Sequence, residues 1–368
     1  MPYGGCVQLG FFELLEGHST EGSVHDFSRF MQKPVVRALT ATNAFNRLRG
    51  IKFLGAIDYI VWPTGRPRRY RHNRFEHSLS VAFIGDTFGS KELSQTESDL
   101  LLAATLLHDI GHAPLSHSME PAFVERFGID HHVATVEIIT GASPLGDSVT
   151  RALKDLNIDP DKVLEILESK YFIPFFSGPI NFDTIDGISR AKSYFSPGSI
   201  QSDISLYLRS INDINFVNLD DFWATKDLVY KYLINGHAGL LADACAYRFA
   251  ANVSSSRLNR DSYFLSEERF RHDFPDLFQL LSALRKKIKT LELPSSLSNL
   301  REYKVNRNSH DITERYITIK RPRIHDLKGI EFLDETRLSS AHWEQLEFDL
   351  DADGLKGTDL NYSGSKEE

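Results

Sequence analysis

The sequence predicts a mostly α-helical protein with one large domain and a small α+β appendage at its C-terminal side. Apolar residues recur every three or four positions through most of residues 35–251, which is the spacing of helices that bury one face. The chain has 368 residues and can bury a large core. We divide it into an irregular arm (1–30), a helical domain (31–252), an α+β region (253–348) and an acidic, disordered tail (349–368).

Bulk composition excludes several classes of protein. The net charge of −8 and the pI near 6.0 argue against a protein that coats nucleic acid. The two cysteines, Cys6 and Cys245, make no disulfide framework and fit a reducing compartment. The sequence has neither a long apolar run nor an N-terminal signal segment. We therefore expect a soluble, cytoplasmic protein that does not contact membranes.

The first elements follow from periodicity and punctuation. Apolar spacing over Val35–Leu54 predicts a helix, and Asp58–Trp62 has the composition of a short strand closed by a Pro-Thr-Gly turn. A second helix is expected from His77 to about Phe88. Thr96 and Asp99 have the spacing of an N-terminal cap for the next helix.

Later elements are predicted by the same signals. Asp159 followed by Pro160 predicts an N-cap and a first helical position. The alternating run Arg315–Ile324 predicts an edge strand. The remaining predicted helices are Val133–Ile139, ending near Gly141, then Lys226–Ile234, Leu240–Ala251 and Phe264–Leu291.

The residues with chemical potential concentrate at one helix end. A run of apolar residues leads directly into His108 and Asp109, and neighbouring side chains on a helix point about 100° apart, so both can reach one ion. His112 follows four residues later on the same face. Seven of the fourteen histidines fall within residues 72–132. This density predicts a functional site.

Histidine nitrogens and carboxylate oxygens together suit a divalent ion such as Mn, Fe, Mg, Ni or Zn. The smallest set is His77, His108, Asp109 and one later carboxylate, for which we favour Asp183 although spacing does not separate it from Asp186. Such an ion lowers the pKa of bound water from about 15.7 towards about 7.

Hydrolysis of a phosphoester also needs a proton donor and positive charge. We assign these roles to His112, His117, His131 and Arg74. An arginine-rich loop precedes this last residue, and it could bind phosphate, a nucleic-acid end or a protein partner. Its members are Arg66, Arg68, Arg69, Arg71 and Arg74.

Four segments occur in the order found in a known family. In them the chain resembles the HD-domain phosphohydrolases, specifically the deoxynucleoside triphosphate triphosphohydrolase branch. The resemblance covers roughly residues 30–252 and predicts the multi-helical HD-domain fold there. The segments are Phe45–Gly55, His72–Leu79, Leu107–His117 and Asn181–Asp186.

The resemblance implies a role for each residue that matches a functional position of the family. It implies that water attacks the α-phosphate, giving a deoxynucleoside and triphosphate, and that the protein forms homo-oligomers. It also implies phosphate contacts by Arg74, His112 and His117, and proton transfer by His131. The implied metal ligands are His77, His108, Asp109 and Asp183.

The chain departs from the family mainly where the family reads the sugar. We therefore expect hydrolysis to be kept and substrate choice to differ, with glycine at 187 opening volume for a larger or differently posed substrate. Leu54 joins the expected substrate contacts. The family's residues are replaced as follows: glutamine by Phe53, lysine by Thr184, tyrosine by Gly187, aspartate by Ala191 and, by a looser alignment, arginine by His237 and tyrosine by Cys245.

One further departure concerns the proton-transferring histidine. The family usually has glutamate after it, and His132 stands there. The change could alter the basicity of His131, or His132 could recruit a second metal ion. The sequence leaves both open.

These observations predict a metal-dependent phosphohydrolase that acts on nucleotides, with deoxynucleoside triphosphates as the leading substrates. One alternative is a phosphodiesterase or phosphatase for a modified nucleotide or a nucleic-acid end. Another is a non-catalytic module that senses nucleotides or binds nucleic acid.

Overall fold

The computed structural model describes residues 21–62, 72–89, 93–168, 180–195, 204, 216–288, 303–305 and 317–319. Helices dominate these residues, which confirms the predicted fold class. None of the described helices combines the length and apolarity needed to cross a bilayer. The arginine-rich run from 66 to 71 and the predicted tail lie outside the described residues.

The first nine α-helices of the described residues cover the predicted main domain up to residue 167. They are α1 (Glu21–Gln32), α2 (Pro34–Thr40), α3 (Asn43–Arg47), α4 (Arg74–Ile84), α5 (Gln95–Leu107), α6 (Glu120–Phe127), α7 (His131–Thr140), α8 (Ser148–Asp155) and α9 (Pro160–Leu167).

Five helices and one strand pair follow. The two strands pair antiparallel, with Lys304 opposite Thr318. The second strand lies within the predicted edge strand Arg315–Ile324, and the first precedes it in the sequence. The α+β appendage as a unit stays a prediction, because the residues around these strands are not described. The elements are α10 (Phe182–Lys192), α11 (Phe216–Leu228), α12 (His237–Asn252), α13 (Glu267–Asp273), α14 (Pro275–Lys287), β1 (Tyr303–Val305) and β2 (Ile317–Ile319).

Several predicted elements differ from the structure for local reasons. The expected helix over Val35–Leu54 is interrupted because Thr42 caps α3, accepting from the backbone N–H of Phe45. Where a strand was expected, a 3₁₀ helix spans Gly55–Tyr59, and the Asp58 carboxylate accepts the Leu54 N–H at 2.8 Å. Such a side-chain bond to the backbone competes with strand pairing.

Other boundaries shift by a few residues or by one proline. Helix α1 begins at Glu21, within the expected arm. The cap of α5 is Ser94 with Glu97, not Thr96 with Asp99, in a complete capping box. The predicted single helix from Phe264 is two helices, because Pro275 cannot continue α13 and instead begins α14.

Helix α5 lies at the centre of the described core. Its residues from Leu101 to Leu107 are all buried, so it is apolar on every side and contacts α2, α4 and α9. Its C-terminal end delivers the His-Asp pair. The following loop is packed tightly on α7: a Cβ at Gly111 would lie 2.1 Å from the carbonyl oxygen of His131. Glycine therefore permits the approach that brings His131 to the site.

Residues beyond 253 support the same loop from behind. Arg47 donates to the Ile110 carbonyl at 2.8 Å and to the Leu265 carbonyl at 3.3 Å. The buried Glu267 carboxylate accepts the backbone N–H groups of Lys52 and Leu115, each at 3.1 Å. The domain boundary near residue 252 stays a prediction, but these bonds cross it.

Candidate metal and phosphate site

Three side chains from three helices bring ligand atoms together. The His77 Nε2 atom lies 3.3 Å from His108 Nε2 and 3.0 Å from Asp183 Oδ1, and His108 Nε2 lies 4.0 Å from that oxygen. All three atoms are within 4.8 Å of one another, so these residues could hold one metal ion. The chain thus unites residues more than a hundred positions apart in the sequence.

Helix geometry explains this convergence. His77 lies on α4, whose N-cap Asn73 accepts the Glu76 N–H, and His108 is the C-cap of α5. Asp183 lies in the first turn of α10, which a capping box between Asn181 and Thr184 begins. Each candidate ligand therefore lies near a helix terminus, where side chains from separate helices can meet.

Both histidines are held so that the same ring nitrogen faces the cluster. His77 Nδ1 lies 2.6 Å from Asp186 Oδ2, and His108 Nδ1 lies 2.8 Å from the Thr105 carbonyl oxygen. These partners only accept hydrogen bonds, so each neutral ring carries its proton on Nδ1 and presents the Nε2 lone pair. Metal-binding histidines are oriented in this way. The donor set therefore fits a divalent ion.

Asp186 supports the histidine rather than joining the ligand atoms. Its carboxylate is fully buried and paired with Arg190, at 2.5 Å from Nε and 3.2 Å from Nη2. Spacing alone did not separate Asp186 from Asp183. The structure brings Asp183 to the ligand nitrogens and directs Asp186 to the other side of the His77 ring.

The Asp109 carboxylate borders the cluster and also forms an ion pair with Arg74. Its Oδ2 atom lies 3.3 Å from His77 Nε2 and 3.6 Å from His108 Nε2, and Arg74 Nη1 lies 2.5 Å away. Burial raises the pKa of Asp109, but the charges of Arg74 and His108 outweigh it and hold this pKa well below its usual value. The carboxylate is therefore ionised, and its role as fourth ligand stays a prediction.

The surroundings of His77 favour positive charge. Burial lowers the pKa of His77, but hydrogen bonds with Asp109, Asp183 and Asp186 raise it to about 10. This pocket therefore stabilises a cation in a fully buried position.

A second group lies beside the first and contains the predicted phosphate and proton-transfer residues. The rings of His112 and His131 are stacked, 4.6 Å apart and 7° from parallel, and His117 meets the His112 ring edge-on. Glu120 completes the group: its Oε2 atom lies 2.7 Å from His131 Nδ1. One ligand atom from each of the four residues lies within 4.8 Å of the others.

Glu120 is a residue that the sequence reasoning missed. It also accepts the backbone N–H of His131 at 3.2 Å, so it fixes both the ring and the start of α7. Burial lowers the pKa of His131, but the hydrogen bond and charge of Glu120 outweigh it and raise this pKa above its usual value. Glu120 thus supplies the carboxylate that appeared to be missing beside His131. Its position three residues after His117 was the available signal.

His132 is exposed, and its ring packs on His131 with centroids 4.0 Å apart. The second group that could hold an ion among the described residues contains Glu120 and does not include His132. A second ion bound through His132 stays a prediction.

A cavity of about 210 Å³ connects these groups. It brings together nearly all of the predicted substrate contacts, but His237 is not among its lining residues. Sequence reasoning missed Ile188 on α10 and three residues that follow α11, namely Val229, Tyr230 and Ile234. The lining consists of Phe53, Leu54, Arg74, Asp109, His112, His117, His131, Asp183, Thr184, Gly187, Ile188, Ala191, Val229, Tyr230 and Ile234.

Gly187 lines the cavity, and Phe53 takes up part of the volume beside it, so the expectation that this glycine opens room for a larger substrate stays a prediction. The Phe53 ring occupies that side of the pocket, and a Cβ at Gly187 would lie 3.3 Å from its Cζ atom. The same ring packs 4.9 Å from the His77 ring and 5.0 Å from the Arg74 guanidinium carbon. The two departures therefore compensate each other: a large residue at 53 fills the volume beside a small one at 187.

Comparison with known proteins agrees with this site. The HD domain family model matches residues 74–168, which carry His77, His108 and Asp109 but not Asp183. The chain is 32% identical over 178 residues to the uncharacterized protein YwfO of Bacillus subtilis, covering 46% of this chain and 39% of that protein. It is 31% identical over 217 residues to the uncharacterized MG461 homolog of Mycoplasma pneumoniae, covering 54% and 49%.

A further relative has a named activity. The chain is 39% identical over 99 residues to the human deoxynucleoside triphosphate triphosphohydrolase SAMHD1, covering 25% of this chain and 15% of that enzyme. The matches thus span less than half the length of each of these relatives. Residues 74–168 therefore match the HD domain family, and about a quarter of the chain is similar to a named deoxynucleoside triphosphate triphosphohydrolase.

Proposed function

We propose that this protein is a metal-dependent phosphohydrolase that cleaves deoxynucleoside triphosphates to a deoxynucleoside and triphosphate. The observation that carries the proposal is the shared orientation of His77 and His108, whose Nδ1 atoms are both bonded to acceptors. A divalent ion held by His77, His108, Asp109 and Asp183 would supply an activated water and a Lewis acid for phosphate. Mn is our first choice of ion.

Arg74 is suited to bind a phosphate while it is itself fixed in place. Its Nε atom donates to Ser116 Oγ at 2.9 Å, Nη1 to Asp109, and Nη2 to the Phe53 carbonyl at 3.1 Å. These bonds use three of its five N–H groups. One N–H on each Nη atom is left for phosphate oxygens, with His112 and His117 on the same side of the pocket.

His131 is suited to protonate the leaving oxygen. Glu120 holds its Nδ1 atom and raises its pKa, so the ring carries a proton that Nε2 can donate. In the overall step, a bond forms between water oxygen and the α-phosphorus, and the phosphorus–oxygen bond to the deoxynucleoside breaks. The proton from His131 Nε2 goes to the departing oxygen, and the proton released by the attacking water passes to solvent, from which the His131 ring is reprotonated.

The test is a product assay with metal-free protein to which Mn is added back. Incubation with each deoxynucleoside triphosphate should release triphosphate and a deoxynucleoside, which ion chromatography distinguishes from pyrophosphate and phosphate. D183A should abolish both the activity and the bound metal measured by elemental analysis. D147A is the matched control, because the Asp147 carboxylate is exposed and pairs with Arg151 on the surface.

Other products would support the alternatives. Release of phosphate or pyrophosphate would indicate a phosphatase or phosphodiesterase, for which the apolar side of the pocket is the favouring observation. Tight nucleotide binding without turnover in any metal would indicate a sensor. We also propose a homo-oligomer in the cytoplasm, by analogy, and nucleic-acid contact through the arginine-rich loop.

A further inference from the structure

The pocket has two chemically different ends. The metal and phosphate end is lined by charged or ionisable side chains. The remaining wall is mostly apolar and includes Leu54, Ile188, Ala191, Val229 and Ile234, and Phe53 lies where the two walls meet, with its ring 4.9 Å from the His77 ring. A ligand that places its phosphate at the first end must therefore place its organic group against hydrocarbon.

Along one face of α10, the lining of the pocket changes from polar to apolar. Asp183, Gly187 and Ala191 are spaced four residues apart, so they lie along one side of this helix at intervals of about 6 Å. The first is a metal-site carboxylate, and the next two offer no polar side-chain atom. Moving away from the metal site along α10, the wall loses its hydrogen-bonding groups within one helical turn.

Phe53 packs against this face of α10 at Gly187, and its backbone is fixed. Its side chain is 8% exposed, and its backbone N–H donates to the His72 carbonyl at 3.0 Å. Its own carbonyl receives the Arg74 Nη2 bond. The ring packs between His77 and Gly187 and lines the pocket beside the candidate metal ligands.

Two polar side chains also line the pocket. Thr184 Oγ1 is part of the capping box of α10, where it accepts the Asn181 N–H at 3.1 Å. Tyr230 lies in the π-helical turn Val229–Ile234 and is the remaining candidate for reading a substrate hydroxyl. A test of this wall must therefore include Tyr230.

We propose that the site disfavours, without excluding, a hydroxyl on the side of the substrate's organic group that faces Phe53, with Phe53 as the specificity-determining residue. The inference rests on the proposed function and names its substrate class. A buried hydroxyl with no hydrogen-bond partner is unfavourable. A pocket built to bind a hydroxyl rejects the analogue lacking it by about 10⁴-fold or more, whereas an apolar pocket rejects an added hydroxyl by up to about 100-fold. The preference between a substrate with the hydroxyl and one without it is therefore opposite in the two kinds of pocket.

The experiment compares thymidine triphosphate with its 3′-deoxy analogue on the full chain loaded with Mn. We expect kcat/KM to favour the 3′-deoxy compound by about 3- to 100-fold. Calorimetric Kd values, measured with the H131A variant so that neither compound is consumed, should show the same order. Equal values, or a preference for the 3′-hydroxyl, would overturn the proposal. If Y230F then removes a preference for the 3′-hydroxyl, Tyr230 is the residue that binds this hydroxyl.

Two substitutions at one position sharpen the result. F53L keeps an apolar wall and should keep the preference for the 3′-deoxy compound. F53Q introduces an amide that can bond a hydroxyl and should reduce or reverse the preference. If both variants change the preference equally, Phe53 does not determine specificity.

Failure of the proposed function can be recognised separately. If neither nucleotide is hydrolysed by active-site-intact, Mn-loaded protein, the triphosphohydrolase assignment fails. The inference is then tested by calorimetry with tetrahydrofurfuryl phosphate and 2-deoxyribose 5-phosphate, which differ in their ring hydroxyls. Tighter binding of the first compound supports the apolar wall, and equal or weaker binding overturns it.

Discussion

Two histidines of the site are anchored by the same kind of bond but have different surroundings. The His77 Nδ1 atom lies 2.6 Å from an Asp186 oxygen, and the His131 Nδ1 atom lies 2.7 Å from a Glu120 oxygen. Asp186 is fully buried and paired with Arg190, whereas 17% of the Glu120 side chain is exposed. The anchoring bond alone therefore does not determine what each ring can do.

The neighbours on the other side of each ring make the difference. Two further carboxylates, Asp109 and Asp183, face His77 Nε2 and favour a cation there. His131 stacks on another imidazole, and the charge of Arg74 acts to lower its pKa. The first ring is thus equipped to hold a metal ion, and the second to hold a proton that it can release.

The largest effect is expected from removing the anchor of the first histidine. D186A leaves the Arg190 charge buried without its main partner, and should lower the free energy of unfolding by about 3–5 kcal/mol. Loss of the bond to His77 should weaken metal binding by about 10- to 100-fold. Chemical denaturation and metal titration measure the two quantities. The comparison fails if D147A, at a surface ion pair, has an equal effect.

Removing the second histidine should affect chemistry without affecting the metal. H131A should lower kcat by about 10²- to 10⁴-fold, the usual contribution of a general acid. Metal content by elemental analysis should stay at the level of the unaltered protein. H272A is the control, because His272 is an exposed histidine on α13. A loss of metal in H131A would indicate that His131 is a ligand and would break the comparison.

The pH dependence should separate the two anchors further. Glu120 raises the pKa of His131, so the donated proton is retained at pH values up to that raised pKa and is lost above it. E120Q removes the negative charge that raises the pKa of His131, so the alkaline limb of the pH profile of kcat should move to lower pH. The stability that this pair contributes is present below pH 6.5 and is lost as pH rises through the folded-state pKa of His131. An unchanged alkaline limb in E120Q would exclude His131 as the donor.

The smallest effect is expected at Arg74, which we propose to bind phosphate. S116A removes the acceptor of the Arg74 Nε bond and should cost about 1 kcal/mol of stability. Because Asp109 and the Phe53 carbonyl still hold the guanidinium, KM should rise by less than about 10-fold while kcat is kept. Steady-state kinetics checks this expectation. A large fall in kcat would indicate that Arg74 positions more than the phosphate.

Sequence reasoning worked where a single helix or its end carries the signal. The apolar run before His108 predicted a buried helix, and Asp159 with Pro160 predicted the start of α9. Boundaries were missed where a local bond competes with periodicity, as with the Asp58 carboxylate in the 3₁₀ turn. One bonded carboxylate outweighed the strand-like composition of its neighbours.

Part of the membership of the site was predictable from the sequence, but Glu120 was missed and so were the pairings between side chains. The family resemblance and the residue types indicated His77, His108 and Asp183, which the structure brings together. The sequence could not show that Asp186 anchors the His77 ring, because Asp183 and Asp186 lie on the same helix and spacing does not separate their roles. Nor could it show that Phe53 fills the space beside Gly187, because that contact joins distant segments. Such compensation is visible only when the helices are packed.

The buried Glu267 carboxylate has a practical consequence for anyone preparing a shorter protein. Leu115 and Ser116 adopt left-handed backbone angles, and the Leu115 N–H is bonded to Glu267. A protein truncated after residue 252 would leave that N–H and the Lys52 N–H without their acceptor. The turn that carries Ser116 and His117 would lose its support. Preparations intended for assay should therefore extend at least through α14.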